Sequence, residues 1–222
     1  MANLMKRIYI VVEGQTEQEF VRSVLAPFFL KNGILSVTPI LIRTSKTGRG
    51  GHVNAQHLMR TITVLLSSMK ADIVVSTFVD FFRIPTNMPE YEACTSLGSD
   101  ALIADALETA LSKEIDDIRF VPYIQLHEFE ALLFSNNKGF EEYFSDEQAG
   151  KTAAVIDEFV NPEDINSSPE TAPSKRILSI DRGYDKVLQG NLIAMDVGID
   201  DMLAKCPRFS SWVCRLLELS KG

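Results

Sequence analysis

The sequence predicts an α/β fold built on a mostly parallel sheet. Three observations predict it. RIYIVV at 7–12, a β-branched run without a polar break, and DIVVSTFV at 72–79 have the composition of buried strands. Segments with helical apolar spacing stand between them. The alternation holds to about residue 134, which places helices on both faces of a sheet of four or more strands.

The first strand, 7–12, runs through a tight connection at Gly14 into a helix reaching residue 31. Thr16 and Glu19 have the spacing of a capping box, and Phe20, Val21, Val24, Leu25 and Phe28 share one stripe. Residues 37–43 form a second strand, and Pro39 fits best at an edge or a strand start. A basic glycine loop at 44–52 precedes a helix near 54–69 with Leu58, Ile62, Leu65 and Leu66 inward. The third strand, 72–79, ends on Asp80. Prolines 85 and 89 with Gly98 make 83–99 loop-like. A helix over 101–115 and a fourth strand over 120–126 follow, and HEFEALLF, 127–134, opens another helix. Beyond it lie short helical pieces at 147–159, 174–180, 191–204 and 208–219, punctuated by Pro162, Pro169, Pro173 and Pro207. The expected division is an α/β core over 1–135 and a helical C-terminal region over 136–222 packed on it.

The chain has 222 residues and a formal net charge of -8, which argues against a general duplex-coating protein. Three cysteines without CxxC spacing argue against a disulfide framework or zinc knuckle and fit a reducing cytoplasm. The apolar run after the N-terminus stops at Glu13, so it reads as a strand and not a signal peptide. No segment has the length to span a bilayer.

Ligands of an open parallel sheet bind outside the carboxyl ends of its strands. Three strands here end on acids: Glu13, Asp80, and the run His127, Glu128, Glu130. Carboxylates gathered on one rim suit a hard cation such as Mg²⁺ or Mn²⁺, the setting for metal-assisted phosphodiester chemistry. Glu128 and Glu130 are two apart and cannot share a helical face. Glu128, nearer the strand end, is the favoured third ligand. His127 reads equally as a ligand or general base and as a structural histidine.

The run IYIVVEGQTEQEFV, with the strand end FVDFFRIP, resembles the Toprim-like fold shared by topoisomerases, primases and OLD-family nucleases. Taken with YIQLHEFEALLF, NPEDIN, ETAPSKRI and CPRFSSW, it resembles a bacterial family of unknown function with a Toprim-like core, across nearly the whole chain. The resemblance implies acid–base chemistry or metal binding at Glu13. It also makes Asp80 the first acid of a metal-binding Asp-x-Asp motif. Phe82 stands at the second position, so Glu128 or Glu130 must replace that acid for the site to act. The resemblance further implies an AAA-type ATPase partner and a role in defence against foreign DNA.

Two basic stretches are candidate phosphate contacts. Lys46 and Arg49 lie on the glycine loop, which lacks the P-loop pattern. Lys175 and Arg176 open the 174–180 helix after Ser174 as N-cap, where the dipole disfavours cations. With Arg182 and Lys186 they form the clearest basic concentration in the chain. CPRFSSW reads as a docking helix with Phe209, Trp212, Val213, Leu216 and Leu217 on its apolar stripe. Two functions follow: a Mg²⁺-dependent nuclease or phosphodiesterase, or a non-catalytic subunit that binds nucleic acid or a partner through a degenerate site.

Overall fold

The computed structural model of the protein describes residues 7–42, 54–68, 72–82, 84–165, 168 and 170–221. Lys46 and Arg49 lie outside the described residues. The sheet is parallel throughout. Its order is β2 (Val37–Leu41), β1 (Arg7–Val12), β3 (Ile73–Asp80), β4 (Phe120–Val121), with β5 (Ile124–Gln125) also paired to β3. Val12 pairs with both Leu41 and Phe78, so the carboxyl ends of β1, β2 and β3 reach one rim.

Both faces of the central strands β1 and β3 are covered, and the edge strand β2 is only partly buried. Ile8, Ile10, Val12, Val74 and Phe78 face one apolar layer, and Val11, Ile73, Val75 and Val79 face the other. This is the two-residue alternation of a pleated strand. The second layer is closed by α3 (Ala55–Ser68) and α5 (Asp100–Ile115). The first is closed by the helix after β1 and by residues from the C-terminal helices, among them Ile193, Met202, Phe209 and Trp212.

The helix after β1 is a composite. It begins as α1 (Gln15–Phe20), widens into a π-helical stretch (Val21–Leu25) and resumes as α2 (Ala26–Lys31). Pro27 explains the widening. It has no N–H for the carbonyl four residues back and its ring crowds that carbonyl. The Ala26 N–H accordingly reaches the Val21 carbonyl, five residues back.

Several boundaries differ from the sequence reading. The fourth strand is two short pieces split at Pro122 and Tyr123, because proline cannot donate to a ladder. Side-chain hydroxyls bridge the gap: Ser76 Oγ donates to the Val121 carbonyl at 2.6 Å and Thr77 Oγ1 to that of Tyr123 at 2.8 Å. The 83–99 stretch contains a short helix, α4 (Tyr91–Thr95). Residues after Glu128 form a 3₁₀ helix, Phe129–Ser135. The first helix is closed by Glu17, not by Thr16 with Glu19: Glu17 Oε2 accepts from the Gly14 amide at 2.8 Å. The C-terminal helices are α6 (Lys138–Tyr143), α7 (Asp146–Glu158), α8 (Pro173–Ile180), α9 (Leu188–Val197), α10 (Ile199–Lys205) and α11 (Pro207–Ser220). The α8 N-cap is Ala172, not Ser174. Gly198, at φ 79, breaks the expected 191–204 helix into α9 and α10.

Two side chains anchor the start of α11. Glu163 accepts from the amides of Arg208 and Phe209 at 2.9 and 3.0 Å, serving the first turn of the helix. The Arg208 guanidinium bonds Asp105, Glu108 and the Ile124 carbonyl. Helices α6 and α9 approach so closely that a Cβ on Gly139 would lie 2.4 Å from the Ile193 carbonyl oxygen. Gly139→Ala is therefore expected to cost about 1–3 kcal/mol as the helices are forced apart. Chemical denaturation against the parent chain checks this.

Candidate active site at the strand ends

The rim gathers five carboxylates. Glu13 follows β1 directly, and Glu17 is one helical turn later, brought back over the strand end by its bond to Gly14. Asp80 is the last residue of β3. Beyond it the two chains stay paired: the amides of Phe81 and Phe82 donate to the carbonyls of Gln125 and His127, both at 2.8 Å. Glu128 and Glu130 follow at once.

His127 makes both acids usable. Its backbone is left-handed, φ 62, a conformation uncommon for a side chain without special help. The turn takes the chain out of the strand direction, and Glu128 is extended before the 3₁₀ helix begins. The rule that residues two apart on a helix cannot share a face therefore does not apply. The His127 ring is buried, with Nδ1 3.7 Å from Asp100 Oδ2. Burial lowers its pKa, and the Asp100 charge opposes that shift.

Three of the acids converge on a lysine. Lys186 Nζ stands 3.2 Å from Glu130 Oε2, 3.5 Å from Asp80 Oδ2 and 3.8 Å from Glu17 Oε1. Asp80 also has a structural task, since its Oδ1 accepts from the Phe129 amide at 3.0 Å and fixes the start of the 3₁₀ helix. Glu130, not the favoured Glu128, is the acid that reaches the lysine. Glu128 is held by the Ser174 amide in the first turn of α8, at 3.0 Å.

Compensation at the cluster is incomplete. Glu130 is fully buried, and neither carboxylate oxygen has a hydrogen-bond partner. Its cationic contact is the Lys186 ammonium, 3.2 Å from Oε2. Burial pushes the Glu130 carboxyl up to about 6, Lys186 opposes this and Glu128 adds to it. Asp80 is raised well above its ordinary value, by burial first and against Lys186, with Glu17, Glu130 and Glu128 adding. Glu13 is pushed up to about 7 by desolvation and the Glu17 charge, against Lys186. Glu13 is an exposed residue, so water screens part of that shift and its direction is what counts. Burial alone would lower the Lys186 ammonium, but Asp80, Glu130 and Glu17 outweigh it and hold it well above the ordinary lysine range.

The model of the family described as a domain of unknown function, DUF4276, matches residues 12–217. The chain belongs to this family. No curated protein matches the DUF4276 chain. Among solved structures it is similar to the C-terminal region of the Burkholderia pseudomallei OLD protein, at 15% identity and a TM-score of 0.51, covering 97% of each chain. The C-terminal region of the Xanthomonas campestris pv. campestris OLD protein is also similar, at 16% identity and a TM-score of 0.47. That match covers 97% of this chain and 92% of the other. At such identity the first likeness speaks to the fold, and it agrees with the Toprim-like class.

The donor set suits a hard divalent cation in its chemistry: every group is a carboxylate, and the buried Glu130 oxygens lack hydrogen-bond partners. The arrangement, however, has an ammonium at the point of convergence. Among the described residues no three acids, histidines or cysteines stand close enough together to hold a metal. The strand-end argument located Glu13, Asp80, Glu128 and Glu130 but passed over Glu17 and treated Lys186 as part of a basic strip. The Glu13-x₃-Glu17 spacing was the available signal for Glu17. Of the other basic candidates, Arg176 is turned to the Thr171 carbonyl, Glu158 and the Phe159 ring. Lys175 and Arg182 are exposed.

Proposed function

We propose that this chain is a divalent-metal-dependent phosphodiesterase or nuclease of Toprim-like type. One observation carries the reading: carboxylates from α1, β3 and the segment after β5 meet a lysine at the carboxyl rim of a parallel sheet. A divalent cation, Mg²⁺ or Mn²⁺, would polarise a phosphoryl oxygen and supply hydroxide near neutral pH. Glu17, Asp80 and Glu130 would have to draw together to hold it, because as placed no three acids of the described residues are close enough. Glu13, exposed and with a raised pKa, is suited to take a proton from attacking water. Lys175 and Arg182 are the exposed cations of the helix and turn that touch the acids, and would meet a substrate phosphate. On this reading nucleic acid is the substrate, an AAA-type ATPase the partner, and the cytoplasm the setting. Among the described residues no helix is long and apolar enough to cross a membrane.

A second reading rests on Phe82 in place of an acid and on Lys186 within the cluster: a binding subunit without catalysis. Cleavage of supercoiled plasmid and single-stranded DNA in Mn²⁺ separates the two. Wild type is expected to cut, and Asp80→Asn and Glu13→Ala to lose at least about a hundredfold in rate, in line with removal of an acid–base group. Identical traces from all three proteins would leave only the binding subunit.

A further inference from the structure

We propose that the outer face of α9 is a docking site for an amphipathic helix of a partner protein, one with apolar residues spaced i, i+4 and i+7 between basic flanks. The site is independent of the reaction assigned to the acid rim.

Helix α9 is apolar on two sides and covered on one. Ile193, Ala194 and Val197 are buried in the core. Helix α1 is tied to α9 there, since Asn191 Nδ2 donates to the Thr16 carbonyl at 3.2 Å. Helix α6 closes on it through Gly139, which lies against Ile193. The other side carries Leu188, Leu192 and Met195, whose spacing puts them on one stripe. Leu188 is 67% exposed and Met195 54%, and Leu192 between them is half-buried.

Such a helix is normally enclosed. The ordinary pattern of a surface helix is seen in α11, which buries Phe209, Trp212, Val213 and Leu216 and turns Ser211, Arg215 and Glu218 outward. A single exposed leucine needs no explanation. A stripe running for about 10 Å, at roughly 1.5 Å per residue, marks an interaction surface.

The charges around the stripe select its occupant. Asp185, Asp196 and Asp200 are exposed before, on and after α9. Tyr143, at the end of α6, bonds Asp196 through its hydroxyl and feels the charge of the exposed Glu142. Cations of the adjoining elements are already engaged: Arg22 stands 3.9 Å from Glu19, Lys138 3.1 Å from Asp201, and Lys186 lies among the rim acids. A second copy would set acids against acids, in a chain of net charge -8. A nucleic-acid backbone would meet the same repulsion. Lysines or arginines beside an apolar stripe match both features, in the mode of recognition that reads a helix by its i, i+4 and i+7 anchors.

Fluorescence anisotropy with the full chain and a labelled synthetic helical peptide tests this. The peptide carries leucines at i, i+4 and i+7 and lysines at the flanks. It is expected to bind at least about tenfold more tightly than a peptide of the same composition with its leucines scattered, and than one with glutamates for the lysines. Leu188→Ser combined with Met195→Ser should lower the affinity by about tenfold or more and leave the melting temperature unchanged, because both side chains are exposed. Ile118→Ser, at a 96% exposed position before β4, should leave binding as it is. Equal binding of either control peptide, no loss in the double variant, or an equal loss in Ile118→Ser overturns the site. Amide exchange of wild type needs no variant: the bound peptide should slow exchange in α9, and protection confined to other elements overturns the site. Sedimentation that shows a wild-type dimer dispersed by the double substitution gives the face to a second copy and overturns the basic partner.

Discussion

Trp212→Ala is expected to destabilise the protein by about 3–5 kcal/mol, the range for removing a large buried aromatic side chain. The indole stacks on Tyr123 with ring centroids 4.4 Å apart and an interplanar angle of 10°. It packs on Phe78 at 5.6 Å and Phe209 at 5.8 Å. Its N–H donates to Ser76 Oγ at 2.8 Å, in the middle of β3. That hydroxyl in turn donates to the Val121 carbonyl, where Pro122 has interrupted the ladder. The substitution thus opens a cavity and leaves a buried hydroxyl one partner short. Domains commonly hold only about 5–15 kcal/mol in total, so the variant should lose a large share of its stability. Urea titration followed by circular dichroism measures it. Trp212→Phe, which retains an aromatic ring, should lose distinctly less; a loss as large as alanine's would mean that stacking contributes little.

The same residue shows what the sequence could and could not disclose. The apolar stripe of α11 is written in helical spacing, so Phe209, Trp212, Val213 and Leu216 were readable as buried. The bond from Trp212 to Ser76 was not, because it joins positions with no periodic relation. Strands β1 and β3 were readable because both faces are buried and their residues are mostly apolar and β-branched, Ser76 and Thr77 being the small polar exceptions in β3. The fourth strand was misjudged in length although Pro122 was in view, since the hydroxyls that bridge its gap belong to another strand. Placement of Glu13 and Asp80 on one rim followed from parallel strand order. The choice between Glu128 and Glu130 did not, because it depends on the left-handed backbone of His127. Lys186 looked like one more cation in a basic strip because its partners come from β3, α1 and the segment after β5.

The acid cluster should set the pH dependence of the metal-free protein, and its sign is opposite to that of an ordinary salt-bridged carboxylate. Glu130 has a folded pKa of about 6 against an ordinary 4.5, and Asp80 is raised as well. Between those values the folded state binds more protons than the unfolded one, so stability falls as pH rises. A displacement of that size, at about 1.4 kcal/mol per pH unit, makes the Glu130 contribution on the order of 2 kcal/mol, lost between about pH 4.5 and pH 7. His127, with a lowered pKa, acts in the other direction and costs stability below about pH 6.5. The cluster is expected to outweigh it, because Glu130 and Asp80 shift together. Melting temperature in metal-free buffer should therefore fall from pH 5.5 to pH 8. Glu130→Gln should flatten that slope and melt above wild type at pH 8. A slope that Glu130→Gln leaves unchanged would show that the buried acids are compensated. A stability deficit at neutral pH confined to the acids is what a site kept for a cation would show, because selection for binding tolerates local repulsion that folding alone would remove. Added Mn²⁺ should then raise the wild-type melting temperature at pH 8 and leave Asp80→Asn unchanged, so that the cost measured without metal and the gain measured with it are assigned to the same carboxylates.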